Sequence, residues 1–360
     1  MSPNQNSFLM PREKPVMAMR ILMVGHYPPH TGGVAQHVDN LVRELRKKHE
    51  VHVLTYGPIT PREFERDYVH QVTVPPFYGL RGTSFALLGA GKILRLQKEF
   101  DFDLIHAHFA GTTSFSAVMA KSRLDVPLVV TAHGSDLEHT AGLTLGRFYV
   151  TRSLEGADTV IAVSHWLARK AAALGARKVV VIPNGLRPLE GEPGERKYVT
   201  FIGALRDYKD PWTFIRLAEH FPEIHFLVVG DGPLRAKLEA AAPPNVRFLG
   251  YREDVGRILS RTLLLVLPSK REGFGLVIVE ANSLGVPAIG RRVSALPELI
   301  EDGKNGFTFE TFDELLESVR RLLEPKFNRK SGRIAIKLSR AYSWKSVAER
   351  VEGVYRELLG

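Results

Sequence analysis

Short apolar runs recur along the chain, each closed by a glycine, proline or polar turn, and most lead into segments whose apolar residues return at helical spacing. Arg20–Val24, Val51–Thr55, Leu104–Phe109, Pro127–Thr131, Thr159–Val163 and Lys178–Ile182 are short enough and apolar enough to be strands buried on both faces of a parallel sheet. After the first of them, Val34, Val38, Leu41, Val42 and Leu45 define a helix that ends in Arg46-Lys47-Lys48, where cations suit the dipole. Phe85 to Phe100 is expected to be a basic amphipathic helix carrying Lys92, Arg95 and Lys98, and the stretch from Gly57 to Gly82 before it is expected to be loop-rich. Leu186 to Lys197 has the composition of a linker, with Pro188, Gly191, Pro193 and Gly194. The strand pattern then restarts with Tyr198–Ile202, His225–Val229, Val246–Gly250, Leu263–Leu267 and Val286–Gly290. Trp344, Val347, Val351, Val354, Tyr355 and Leu358 make a last amphipathic helix after Ser343. This repeated alternation predicts α/β architecture with two doubly wound, Rossmann-like domains. The expected limits are a disordered lead-in over residues 1–18, a first domain over 19–186, a second over 187–339 and a terminal helix over 340–360.

Composition narrows the function. At 360 residues, 44% hydrophobic and 24% charged, the chain can build two ordinary cores, and no apolar run approaches the ~20 residues of a membrane span. Cysteine is absent, which excludes disulfides, thiolate metal sites and cysteine nucleophiles. That absence and the lack of a secretory pattern at the N-terminus lead us to expect a cytoplasmic protein. The net charge of +10 calls for anionic partners, but it is spread evenly, with 19 Lys/Arg against 14 Asp/Glu in residues 20–185 and 28 against 24 in residues 186–360. No basic tract with interleaved aromatics is present, so nucleic acid is not expected. Nucleotide phosphates account for the charge, as does peripheral contact of the basic first domain with the cytoplasmic face of a membrane. Gly89-Ala-Gly-Lys92 lacks the earlier glycine and the following Ser/Thr of a P-loop. Asp101-Phe-Asp103 has metal-binding spacing but precedes a strand instead of following one, and His106 and His108 have no third ligand nearby in sequence, so no metal site is expected.

The chemistry centres on Pro268–Gly285. After the Leu263–Leu267 strand, a polar loop leads to Glu272, then Gly273-Phe274-Gly275, then a helix opening with Leu276 and Val277 and carrying Glu280. Free N–H groups at that helix start, with glycines allowing close approach, form an anion site. Glu280 lies roughly 7.5 Å further along the axis at the helical rise. A diphosphate at Gly275 therefore puts its ribose near Glu280, while Glu272 faces the group beyond the diphosphate.

Glu272 and Glu280, with seven residues between them that include these glycines, resemble the E-x7-E element of the family 4 retaining glycosyltransferases. Further segments resemble that family in the same order: Gly32-Gly33, His133 in an H-G context, Gly203-Ala-Leu-Arg-Asp-Tyr-Lys209, Gly230-Asp-Gly-Pro233 and Ala295-Leu-Pro-Glu298. The family's usual arginine position is Ala204 here, and Arg206 is the candidate to replace it. The resemblance implies a GT-B enzyme whose donor-binding residues are Gly33, Arg206, Lys209, Gly273, Phe274, Gly275, Leu276, Val277, Glu280 and, at the base, Arg252. It implies catalytic roles for Glu272, His133 and Lys209, no cofactor, no metal, and transfer from a UDP- or GDP-sugar to an acceptor hydroxyl of a lipid or saccharide with retention of configuration. The implied final helix crosses back to the first domain. A sugar-nucleotide epimerase of the same fold, a nucleotide-dependent oxidoreductase and a nucleic-acid or membrane-binding module are the competing readings.

Overall fold

The computed structural model describes residues 18–30, 32–57, 67–75, 77, 80–191 and 194–360. All but Ala18 of the expected lead-in lies outside them.

Seven strands form the first sheet: β1 (Arg20–Val24), β2 (Glu50–Gly57), β3 (Val69–Thr73), β4 (Leu104–His108), β5 (Leu128–Ala132), β6 (Thr159–Ala162) and β7 (Val179–Val181). They are parallel and ordered β3-β2-β1-β4-β5-β6-β7. The second sheet holds β8 (Tyr198–Ile202), β9 (His225–Val229), β10 (Val246–Gly250), β11 (Thr262–Leu267), β12 (Ala288–Arg291) and β13 (Gly306–Phe309), parallel and ordered β10-β9-β8-β11-β12-β13. Each order reverses at its first strand, which opens a crevice at the carboxyl ends of the strands. Six helices of the first domain matter below: α1 (Gly33–Leu45), α2 (Leu80–Phe100), α3 (Thr112–Lys121), α4 (Ser135–Glu138), α5 (Thr144–Gly156) and α6 (His165–Ala173).

Alternation along each strand divides the cores. Ile21 and Met23 face α1 and the C-terminal helix Trp344–Leu359, while Leu22 and Val24 face the opposite layer with Phe85 and Ile93 of α2. That second layer continues through Leu167 and Phe274 to Leu265, Leu267 and Ile278, so one apolar cluster joins the two domains beneath the cleft. The expected return of the last helix is borne out. Val347, Val351 and Tyr355 pack into the first domain, Tyr355 bonds His106 at 2.5 Å, and Leu186 bridges Ser343.

Two expectations need correction. The Gly57–Gly82 stretch contains β3, and α2 starts at Leu80 instead of Phe85. The polar residues of Val69-His-Gln-Val-Thr73 hid an edge strand, because only one of its faces meets the core. The rest of the expected loop, residues 58–66 with 76, 78 and 79, lies outside the described residues.

Candidate active site

A cleft of about 1190 Å³ lies between the domains. The carboxyl end of β11 delivers Pro268 and the following loop, and the helix Leu276–Ser283 begins at the cleft wall. Its N-cap, Gly275, is left-handed at φ 96°, and a Cβ there would sit 2.9 Å from Leu296. Only glycine turns the chain so tightly into this helix. No side chain caps it, which suits an anion site, although the Ile278 N–H already donates to the Gly275 carbonyl at 2.9 Å. Gly273, Phe274, Gly275 and Leu276 all border the cleft. Val277 does not. Its side chain joins the interdomain core, leaving only its backbone at the helix start.

Glu280 reaches the cleft one turn further on. Burial raises its carboxyl above the ordinary value. Among the described residues no side chain bonds or pairs with that carboxylate. Glu272, by contrast, is held. Lys209 forms an ion pair with it and the Ser269 hydroxyl donates to the same oxygen at 3.1 Å. Lys209 sits on the short turn Asp207–Lys209 that follows β8, so the first strand of the second sheet and the fourth bring a cation and an acid together across their adjacent ends. Arg206, one residue before the turn, is exposed on the cleft and has no carboxylate partner among the described residues. Ala204 is half-buried beside it. Arg252 also borders the cleft, but its guanidinium is occupied by Asp254 at 2.7 and 2.8 Å.

The first domain supplies the opposite wall. Gly33, at the start of α1, and His133, just after β5, both border the cleft. Gly134 (φ +116°) meets Gly273 so closely that a Cβ on it would lie 3.1 Å from the Gly273 Cα. Two glycines from two domains thus let the loops carrying His133 and Glu272 touch. The Ser164 hydroxyl, donating to the Gly273 carbonyl at 2.9 Å, fixes that contact. Asp136, fully buried, accepts backbone N–H bonds from Ala110, His133, Gly134 and Leu137, and so shapes the His133 turn.

Sequence spacing gave no third partner for the strand histidines. The sheet does. His37 from α1, His108 at the end of β4 and His133 after β5 converge because β1, β4 and β5 are neighbours, and their ring nitrogens lie within 4.8 Å of one another. Burial depresses all three imidazoles, His37 to about 4 and the others well below 6.5, so they are neutral. His37 Nδ1 contacts Asn184 Oδ1 at 2.9 Å, and its ring packs edge-on against His133 and Trp344. The Asp101/Asp103 pair lies at the other end of β4, where Asp103 accepts from the Arg20 backbone N–H at 2.7 Å and Asp101 from its guanidinium at 2.8 Å. These aspartates fasten a turn to β1 and face away from the cleft.

Glu298 has a role that its motif did not disclose. Its carboxylate accepts the backbone N–H groups of His165 and Trp166, both at 2.7 Å, and so caps α6 of the opposite domain. The Ala295 that stands for glycine in this motif costs nothing, since its φ is −87°.

Comparison with known proteins agrees with this layout. The family model described as Glycosyltransferase Family 4 matches residues 31–188, and that described as Glycosyl transferases group 1 matches residues 186–337. An uncharacterized glycosyltransferase of Methanocaldococcus jannaschii is 30% identical over 354 residues, 95% of this chain and 99% of its own. The N-acetyl-alpha-D-glucosaminyl L-malate synthase of Bacillus anthracis is 26% identical, covering 92% and 95%. Among solved structures, the Anabaena HepE protein in complex with UDP-glucose superposes with a TM-score of 0.76 at 20% identity, covering 94% of this chain and all of that one. Sucrose-phosphate synthase of Thermosynechococcus elongatus superposes with a TM-score of 0.79 at 18% identity, covering 95% and 99%. Two parallel sheets facing a cleft, a final helix returned to the first domain and these matches along nearly the whole chain place it in the family 4 glycosyltransferases, as a GT-B hexosyltransferase.

Proposed function

We propose that this transferase takes a sugar from a UDP- or GDP-sugar and passes it, with retention and without a metal, to a hydroxyl of a saccharide or lipid acceptor. The observation that carries the reading is Glu280, a half-buried carboxylate with no protein partner among the described residues, one turn beyond the open helix start at Gly275. A diphosphate on that helix start brings a ribose whose vicinal hydroxyls can donate to Glu280. The HepE neighbour, solved with UDP and with UDP-glucose, supports a uridine donor.

In the reaction the bond from the anomeric carbon to the diphosphate breaks and one to the acceptor oxygen forms. The acceptor proton ends on the departing diphosphate oxygen. Negative charge grows on the diphosphate, where Lys209, held by Glu272, and the helix start stand as fixed donors and the exposed Arg206 can close on it. Positive charge grows on the sugar ring beside Glu272. Its carboxylate is engaged by Lys209 and Ser269, which suits an electrostatic role better than a covalent one. His133, neutral, can accept or donate a hydrogen bond to the sugar from the first domain.

A thermal-shift screen of nucleoside diphosphate sugars tests the donor, since a ligand at a hundred times its Kd adds about 2.7 kcal/mol. The reading fails if NAD(P) stabilises the protein and no UDP- or GDP-sugar does, or if the donor is epimerised with no acceptor present. Turnover is expected to survive EDTA. Activity that vanishes with EDTA and returns with a divalent ion would overturn the metal-free claim and direct attention to the His37/His108/His133 group.

A further inference from the structure

Ten large apolar side chains are exposed among the described residues, and five of them, Leu87, Leu88, Leu143, Leu145 and Phe148, belong to α2 and the head of α5, with Phe77 just before α2. The two helices meet, Tyr149 of α5 donating to Thr83 of α2 at 3.4 Å, and Phe148 rests on Phe115 of α3, against which α2 also packs. Leu87 follows Thr83 by one turn and continues the face that α5 adjoins, and Leu88, exposed beside it, lies further round the same helix. A monomer rarely leaves so many apolar side chains together in water without a partner.

Cations surround them. Along α2 and α5, Arg81, Lys92, Arg95, Lys98, Arg147 and Arg152 stand against only Glu99 and Glu155. Among the described residues Arg81 and Arg147 have no carboxylate partner. A two-fold contact with a second copy would set these cations against themselves. An anionic lipid surface would instead take the leucines into its interface and the guanidiniums among its headgroups. The same helix also leads to the acceptor side. Arg81, Gly82 and Phe85 wall a hollow of about 390 Å³, which shares Gly33 and Val34 with the main cleft. No described helix is long and apolar enough to cross a membrane.

We infer that the α2–α5 face docks flat on an anionic membrane and that the hollow beside Arg81 receives an acceptor carried by that membrane. The inference rests on the transferase reading and narrows its acceptor to a lipid-linked one. Vesicle flotation of the full chain tests the docking. Phosphatidylglycerol-rich vesicles should carry the protein up, phosphatidylcholine vesicles should not, and roughly 1 M salt, with a Debye length of about 3 Å, should weaken the binding. Leu87→Ser/Leu88→Ser/Phe148→Ser should lower partitioning by roughly tenfold or more. Arg147→Ala/Arg152→Ala should lower it by about fivefold per charge. Both variants should keep the thermal shift given by the donor, which shows that they fold and separates failure of docking from failure of the transferase reading. No flotation on anionic vesicles, or flotation untouched by both variants, overturns the inference. So does a serine variant that turns a dimer into a monomer while vesicle binding persists, which would assign the face to a second copy.

Discussion

Replacing Glu280 should separate a binding group from a structural one, because the two roles predict opposite signs. The carboxylate is half-buried and has no partner among the described residues, and burial raises its pKa, so ionising it at neutral pH destabilises the empty protein. Glu280→Gln removes that charge at almost constant volume and should leave the melting temperature unchanged or higher. Donor affinity should move the other way. A hydrogen bond to a charged group contributes about 1.5–3 kcal/mol, and two bonds to one carboxylate add to less than their sum, so losing a two-point contact in Glu280→Ala should weaken binding by roughly 2–4 kcal/mol. That is about 30- to 1000-fold in Kd, whereas Glu280→Gln, which keeps one acceptor, should lose about tenfold. Calorimetric titration with UDP and GDP, run beside thermal melts, reads both quantities. A Kd within twofold of wild type, or a melting temperature that falls in both variants, would refute the assignment of Glu280 to the ribose.

Lys209→Ala is expected to lower kcat/KM by about 10²–10³, the range for removing one fixed stabiliser of developing charge, and wild-type rates would remove Lys209 from the mechanism. Glu298→Ala takes away the acceptor of two N–H groups at the start of α6 and should cost about 1 kcal/mol, seen as a lower denaturation midpoint, while Glu298→Gln should recover part of it. Acid should destabilise the protein. His37 and His106 have folded pKa values of about 4 and about 3, lowered by burial, so below about pH 6.5 the unfolded chain binds protons that the native one refuses. Stability should therefore be full above about pH 6.5 and fall towards pH 4 by up to about 1.4 kcal/mol per pH unit for each group. Urea midpoints that do not change between pH 7 and pH 5 would contradict this.

Much of this was legible because apolar runs closed by turns mark parallel strands, and because a ligand at the carboxyl end of a strand needs glycine and charge in fixed order. The helix start at Gly275 and the cleft position of Glu272 and Glu280 could be placed that way, while Lys209 after β8 came only through the family resemblance of its loop. What depended on strand order could not. His37, His108 and His133 are neighbours only because β1, β4 and β5 lie side by side, which no local pattern states. Glu298 looked like part of a turn, yet it reaches a helix more than a hundred residues away in sequence. Arg252 stands at the cleft as its motif implies, but its pairing with Asp254 two residues on was not read from the sequence. β3 was missed because an edge strand needs only one apolar face.

The bridge between Leu186 and Ser343 means that the chain passes between the domains twice at the same spot, once outward and once returning. Widening or narrowing the gap then bends two strands of backbone laid side by side, which favours rocking about their common line and resists shear across it. It also ties the far end of the polypeptide to the opening strands. Removing the last sixteen residues would strip Val347, Val351 and Tyr355 from the lobe built first and expose Ile21 and Met23 on a sheet that belongs to the other end of the sequence.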